Sequence, residues 1–399
     1  MELTEERLNR NIASLALPSA LENFLHMLVF IVDGIMVGRL GTEAIAAVGL
    51  GGSLNFIITF VFAAIAVAGS SLVARNVGAN DFPRARRFAA QSLLLGVALG
   101  AVLGPPIVLL AEPMLKLMGA EPAVVKLGAT YLRIVGAFVI CRLILFVGGG
   151  ILRGSGDTVT PMFITGAMNV VHIFFNYGLI FGALGFPKLG VAGAGWGTGI
   201  TFVTGATAML LVLTVRQREM RITAADFFTL DRPVIRTIVR ISLPAALDTF
   251  LGQIGYVFFL KIVTMLGTVS LAAHQIAMRA ESLGFMPGHA FAVSSATLVG
   301  QSLGAGKHDL AALSMKRNSQ WSLLVMGLIS LIFVTLPTPL AKMFSPEPDV
   351  LRLSVRCIMV GALEQLPLAF YMVYSGGLRG AGDTLSPMLV TTIGLIFRV

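Results

Sequence analysis

This 399-residue chain has little charge. Asp, Glu, Lys and Arg make up 12% of it, about half of the roughly 25% usual in soluble domains. A water-soluble fold of this length needs far more charge to cover its surface, so that class is excluded. Cysteine is nearly absent, with Cys141 and Cys357 both inside apolar stretches, which rules out a disulfide framework or a cysteine metal set. The five histidines are scattered and no H-E-x-x-H occurs, so the common helical metallohydrolase site is missing. The Gly-rich turns lack the Lys-Ser/Thr ending of a phosphate loop, so no ATPase site is visible and no cofactor is implied.

What the chain has is apolar length. Hydrophobic residues reach 56%, with 44 Gly and 26 Phe, and the mean hydropathy is +0.87. A helix bundle in lipid can carry such a composition because its outside stays apolar. A span needs roughly 20 apolar residues. Ten complete candidates run approximately 14–38, 44–73, 88–111, 128–152, 161–183, 190–215, 240–265, 271–299, 318–341 and 353–378, and an eleventh begins near Thr384. The first is too long for a signal-peptide core and carries Pro18, Glu22, His26 and Asp33, so it reads as a membrane span.

The formal charge of +9 comes from Lys and Arg lying mostly in short segments between spans. Nucleic-acid binding would need a dense basic patch on a solvated domain; here the pattern is that of a topology determinant. The N-terminal tail and the loops after even-numbered spans hold 17 Lys and Arg, against 6 in the loops after odd-numbered spans. The positive-inside rule then places the N-terminus in the cytoplasm, and the protein in a cell's inner (cytoplasmic) membrane with the bilayer as its partner.

The chain repeats itself at one fixed interval, that between Pro18 and Pro244. At the same interval Leu40-Gly41-Thr42 recurs as Leu266-Gly267-Thr268, and Gly78-Ala79 as Gly304-Ala305. Glu121-Pro122 recurs as Glu347-Pro348, Arg153-Gly154 as Arg379-Gly380, and Gly156-Asp157-Thr158 as Gly382-Asp383-Thr384. Each repeat spans six helices, an even number, so both enter the membrane in the same sense and are related by an axis along its normal. The expected fold is an all-α polytopic membrane protein with two parallel-related six-helix lobes. The expected divisions are a cytoplasmic segment 1–13, an N-terminal lobe 14–215, a basic cytoplasmic linker 216–239 and a C-terminal lobe 240–399. Repeat one runs to about Leu213, so repeat two should run to about position 439. Val399 is the counterpart of Ile173, and the second lobe is expected to continue beyond it.

Ionisable groups inside a membrane are costly and usually functional. The repeat counterpart of Asp33 is Phe259; an acid needed for architecture alone would recur. Asp33 follows Pro18 by the same distance in sequence as Asn176 follows Pro161, on a helix of the same sense. Both side chains therefore fall at one level, roughly 22 Å beyond their prolines. Asn169, His172 and Asn176 are spaced i, i+3, i+7 and form one polar stripe, and Tyr131 starts the returning helix 4 near that level. Asp33, Tyr131, Asn169, His172 and Asn176 are therefore the candidate ion-coupling or substrate residues. The bland alternatives are interhelical hydrogen bonds for the polar side chains and an interfacial anchor for Tyr131. His26, Gln253 and Glu364 are secondary candidates. Asp157 and Asp383 read as helix caps, with Arg153 and Arg379 available as their partners.

Twelve spans in two halves, each with a Pro-led first helix and an R-G-x-G-D-T-x-x-P turn, resemble the MATE (multidrug and toxic compound extrusion) family, in its bacterial DinF-like branch. The residues that carry the resemblance are Leu17-Pro18, Asp33-Gly34 and Gly38-Arg39-Leu40-Gly41, then Arg153 to Thr158, with their second-half copies. The resemblance implies export of amphipathic or cationic organic compounds in exchange for inward H⁺ or Na⁺, with two lobes alternating access and an acid at the Asp33 position engaged in coupling. Relatives often carry a second acid on helix 5; here Asn176 and His172 stand in that region, which favours H⁺ over Na⁺. A monomer is expected. The rival within the superfamily is a flippase for lipids or lipid-linked saccharides, which tends to have a strongly basic cavity, whereas few Lys or Arg lie within these spans. A membrane-embedded enzyme lacks its catalytic constellation.

Overall fold

A computed structural model describes residues 2–216, 219–344 and 347–398. Among them every regular element is helical. In chain order these are α1 (Leu8–Gly38), α2 (Thr42–Gly78), α3 (Phe82–Leu109), the short α4 (Ala111–Leu117), α5 (Pro122–Ala137), α6 (Val139–Ser155), α7 (Val159–Phe181) and α8 (Val191–Leu211), which runs into a π segment, Val212–Arg216. There follow α9 (Ala224–Phe228), α10 (Arg232–Met265), α11 (Thr268–Gly304), α12 (His308–Thr335), α13 (Pro337–Lys342), α14 (Pro348–Gly380) and α15 (Leu385–Arg398). The interval from Pro18 to Pro244 carries the bounds of α2 onto those of α11, and those of α3 onto those of α12, without slippage.

Length and composition alone make seven of the described helices able to cross a bilayer, or eight if α5 and α6 count as one span. The expected spans at α2, α11 and α15 are helical but do not meet that measure in full; the stretches Ala63–Gly78 and Leu385–Leu395 are apolar but shorter. In α11 the reason is its polar content: His274, Arg279, Glu281 and His289 all lie on it.

Several boundaries differ from the sequence reading, the largest at α12, which begins at His308 and not near residue 318. The first helix begins at Leu8, not near residue 14, because residues 8–13 bring Leu8 and Ile12 to a buried cluster. The seventh span begins at Arg232, so Arg232, Arg236 and Arg240 are helical and the polar link shortens. The fourth span is broken: α5 and α6 meet at a 54° bend at Phe138, which has non-helical φ −98° and ψ 12°. No proline sits there, whereas its counterpart α14 is continuous in spite of Pro367.

The chain forms two compact units. One, here lobe one, comprises Leu21–Val73 and Asp81–Arg240; the other, lobe two, comprises Met1–Ala20, Ala74–Asn80 and Ile241–Val399. The first turns of α1 thus belong to lobe two, where Leu8, Ile12 and Leu15 bury against Leu298. The Asn9 side chain accepts a hydrogen bond from the Trp321 indole at 3.3 Å. In lobe one, α8 packs on α5, α6 and α7; in lobe two, α14 packs on α11 and α12.

The R-G-x-G-D-T turns have one geometry in both repeats. Gly156 and Gly382 are left-handed, with φ 94° and 87°, a conformation that glycine adopts without a Cβ penalty. The Gly156 N–H donates to Arg153 O at 3.0 Å and the Asp157 N–H to Leu152 O at 2.9 Å; Gly382 to Arg379 O and Asp383 to Leu378 O have the same lengths. This closes each helix in a Schellman motif. Asp157 then accepts from the Thr160 N–H at 2.9 Å and the Thr160 hydroxyl at 2.6 Å, and Asp383 from the Ser386 N–H at 3.0 Å and its hydroxyl at 2.5 Å. Burial pushes the Asp383 carboxyl up, but the Ser386 hydroxyl and the N–H groups of Ser386 and Leu385 outweigh it and hold it below the usual carboxylate range. The arginines do not pair with these acids. Arg153 reaches back to Glu22 on α1 at 3.2 Å, and Arg379 pairs with Asp248 on α10. Each carboxylate capping a turn is occupied by its helix's own N–H groups, so the guanidinium takes the acid one turn after Pro18 or Pro244.

Candidate functional site

Helix α8 makes the site by letting α7 come close. Gly193, Gly197, Thr201 and Gly205 fall every fourth residue and form one ridge. A Cβ at Gly193 would stand 2.4 Å from Leu179 O, one at Gly197 1.9 Å from Asn176 Oδ1, and one at Gly205 2.2 Å from the Met168 sulfur. Small residues at this spacing let membrane helices approach closely. Thr201 is the polar member of the ridge and lies opposite His172.

The α7 side chains reach across to α1. His172 Nε2 lies 2.7 Å from Asp33 Oδ1, and the Asn176 amide donates to the same oxygen at 2.8 Å. On its other side, His172 Nδ1 is 3.1 Å from Thr201 Oγ1. His172 and Asn176 are 4% and 1% exposed, while the Asp33 side chain keeps 31% of its surface. The acid is the open member of a closed group.

Hydrogen counting fixes the protons. Thr201 has one hydroxyl hydrogen, and it goes to Gly197 O at 2.8 Å. His172 Nδ1 must therefore donate to Thr201 Oγ1. The 2.7 Å contact between Nε2 and Asp33 Oδ1 then needs one more proton, carried by the ring or by the carboxyl. Without it two lone pairs would face each other. The pair can lose that proton only if the contact opens, or if Thr201 turns from Gly197 to Nδ1 and the ring changes tautomer. Asn176 is also oriented: a flipped amide would point Oδ1 at the carboxylate oxygen, with no hydrogen between them.

Of the other sequence candidates, Tyr131 is buried on α5 in an apolar cluster with Val37, Ala44, Val135, Ile180, Val191 and Ala194. Its hydroxyl hydrogen-bonds Thr198, and it lies within the field of Asp33. Asn169 does not join the group; it donates to Leu25 O on α1 at 2.8 Å. His26 lies on α1 beside the Glu22–Arg153 pair. Gln253 and Glu364 belong to lobe two, where Glu364 is exposed beside the buried Gln365. Sequence reasoning missed Thr201, Thr198 and Arg142. The signal for Thr201 was its place in the glycine ridge. Arg142 lies on α6 with Phe146 and Phe202 at 5.7 and 5.6 Å from its guanidinium carbon, distances that favour cation–π attraction. A groove of about 230 Å³ between α1 and α7 is lined by Val32, Ile35, Met36, Arg39, Tyr177 and Phe181.

Among the described residues no cluster of His, Cys, Asp and Glu could hold a metal ion. A chain whose described regular elements are all helices, duplicated across several apolar spans and with a carboxyl–imidazole pair in the first repeat, has the make-up of a polytopic membrane transport protein. The MatE family model matches residues 18–178 and 244–399, one stretch in each repeat. The chain belongs to the MatE family. It is 29% identical over 396 residues to a Thermotoga maritima protein named "Probable multidrug resistance protein NorM", covering 97% of this chain and 83% of that one. A protein of the same name from Pseudomonas putida is 30% identical over 386 residues, covering 94% and 82% of the two chains. The fold matches a crystal structure of MATE in the straight conformation with TM-score 0.90 at 24% identity, covering 99% of this chain and 89% of that one.

Proposed function

We propose that the chain is a secondary active transporter that exports amphipathic or cationic organic compounds in exchange for protons. The names borne by the Thermotoga and Pseudomonas relatives support small-molecule efflux. The observation that carries the coupling is the single proton required between Asp33 and His172 at 2.7 Å. Loaded with it, the pair is neutral overall, or a compact zwitterion. Emptied of it, Asp33 presents an uncompensated negative charge from a partly open position, which a cationic substrate can neutralise. Proton and cation therefore compete for one carboxylate. If the lobes alternate access, the two cannot ride together, and a proton gradient drives export.

A proton suits the donor set better than Na⁺ does. Hard cations want several oxygen ligands, but Asn176 turns its N–H toward Asp33 and its oxygen toward Gly197. The excess of Lys and Arg at the N-terminus and in alternate loops supports a cytoplasmic N-terminus in the inner membrane. The second reading, a flippase for a lipid or lipid-linked saccharide, is favoured by one observation, the Arg142 cation between two aromatic rings in lobe one. The discriminating experiment is transport of a permanently cationic dye such as ethidium in proteoliposomes under separate pH and Na⁺ gradients. The proposal expects uptake driven by the pH gradient in the native chain and lost in Asp33→Asn. Equal rates in both proteins would overturn it.

A further inference from the structure

The repeat separates what the architecture needs from what it does not. The Glu22–Arg153 pair of lobe one recurs at the repeat interval as Asp248–Arg379, and both ion pairs tie the turn after a fourth span to a Pro-led helix. Beside the first pair stands a titratable group with no copy. His26 feels the charges of Glu22 and Arg153, whereas its counterpart is Gly252. Asp33 likewise becomes Phe259, and Asn169 becomes Leu395. The groups missing from repeat two are those on the line that joins Glu22 to Asp33.

That line runs along two helices. On α1, Glu22, His26 and Asp33 stand at i, i+4 and i+11, which share one face. At 1.5 Å per residue, His26 lies about 6 Å from Glu22 and about 10 Å from Asp33 along the axis. On α7, Thr165, Asn169, His172 and Asn176 stand at i, i+4, i+7 and i+11, with Thr165, like His172 and Asn176, buried. Asn169 bonds Leu25 O, beside His26, and His172 bonds Asp33. The His26 side chain lies on the outside of α1, at the edge of an ion pair whose side chains keep only 21% and 12% of their surface.

We propose that His26 is a second protonation station, through which the proton shared by Asp33 and His172 leaves toward Glu22 and Arg153 in the same lobe. This rests on the proton-coupling reading above. The transfer balances simply: the proton leaves the Asp33 carboxyl, crosses about 10 Å by way of intervening water, and binds the neutral imidazole of His26. Asp33 is left as carboxylate and His26 as imidazolium, which then gives its proton to bulk water. The charged groups facing His26 are Glu22 from its own helix and Arg153 from α6.

The test uses the full chain in proteoliposomes with ethidium as probe, and compares two modes. Ethidium–ethidium exchange needs no net proton release; uptake driven by a pH gradient needs one release per cycle. His26→Gln keeps a polar side chain without a titrating proton. The expected result is unchanged exchange with gradient-driven uptake slowed about tenfold or more, in keeping with the worth of a positioned proton carrier. The rate should also lose the pH-dependent limb that the native chain shows. Unchanged uptake in His26→Gln, or a parallel loss of exchange and uptake, would overturn the station. If the native chain exchanges ethidium but ignores the pH gradient, the coupling reading itself fails, before any variant is made.

Discussion

Asn176 is held from two sides. Its amide donates to Asp33 at 2.8 Å and lies 3.0 Å from the His172 ring nitrogen, and its oxygen lies against Gly197, where a methyl group would stand 1.9 Å away. Gly197→Ala should therefore push Asn176 off α8 and loosen its hold on Asp33. Overpacking of this kind costs about 1–3 kcal/mol. The expected outcome is a lower unfolding temperature in detergent together with weaker coupling to the pH gradient. A melting curve and transport rate equal to the native ones would show that α8 yields freely, and that the close approach of α7 is unimportant.

At the scale of the element, the two Schellman turns offer a pH test. Asp383 accepts from the first N–H groups of α15, and its carboxyl is held below the ordinary range. A depressed acid stabilises the fold above its unfolded value of about 3.9, and that contribution disappears as the pH falls through the lower folded value. Asp383→Ala should thus cost about 1 kcal/mol at neutral pH. Once the pH is below that folded value, the melting temperatures of variant and native chain should converge; a gap that persists in acid would mean that shape, not charge, caps the helix. A second element-scale test lies in lobe two, where α2 and α11 cross on glycines. A Cβ at Gly78 would stand 1.9 Å from Gln301 O, and one at Gly304 1.9 Å from Arg75 O. The repeat interval exchanges the two contacts. Gly78→Val and Gly304→Val should destabilise by similar amounts, about 1–3 kcal/mol or more each, read as loss of folded protein by size exclusion. A tolerated valine at either position would show that the crossing is not tight.

How much could be read without coordinates depended on how far the cause extended along the chain. The gapless repeat correctly related α2 to α11 and α3 to α12, but hydropathy placed their ends several residues off, since polar residues such as those at 308–317 can be helical without being apolar. The depth of Asp33 and Asn176 could be read from their equal distances to Pro18 and Pro161. Periodicity says which residues share a helix face, but not which helix stands opposite. Thr201 therefore went unseen although Gly193, Gly197 and Gly205 flank it at regular spacing, and Arg153 was assigned to a neighbouring Asp instead of to Glu22, 131 residues away. The bend at Phe138 had no Pro to announce it; it arises where Phe138 packs on Trp196 with ring centroids 5.9 Å apart.

For the whole molecule, the duplication gives two related lobes and the proposed chemistry gives one of them a task. The Asp33–His172 pair has no counterpart at Phe259 and Arg398, so transport should respond asymmetrically to changes in the two repeats. The most direct measurement is proton release on binding of ethidium, whose fixed charge means that any proton released comes from the protein. With the full chain in weakly buffered detergent solution, the account predicts release of up to about one proton per protein near neutral pH, and none from Asp33→Asn. Ethidium binding without proton release from the native chain, or with the same release from Asp33→Asn, would contradict it.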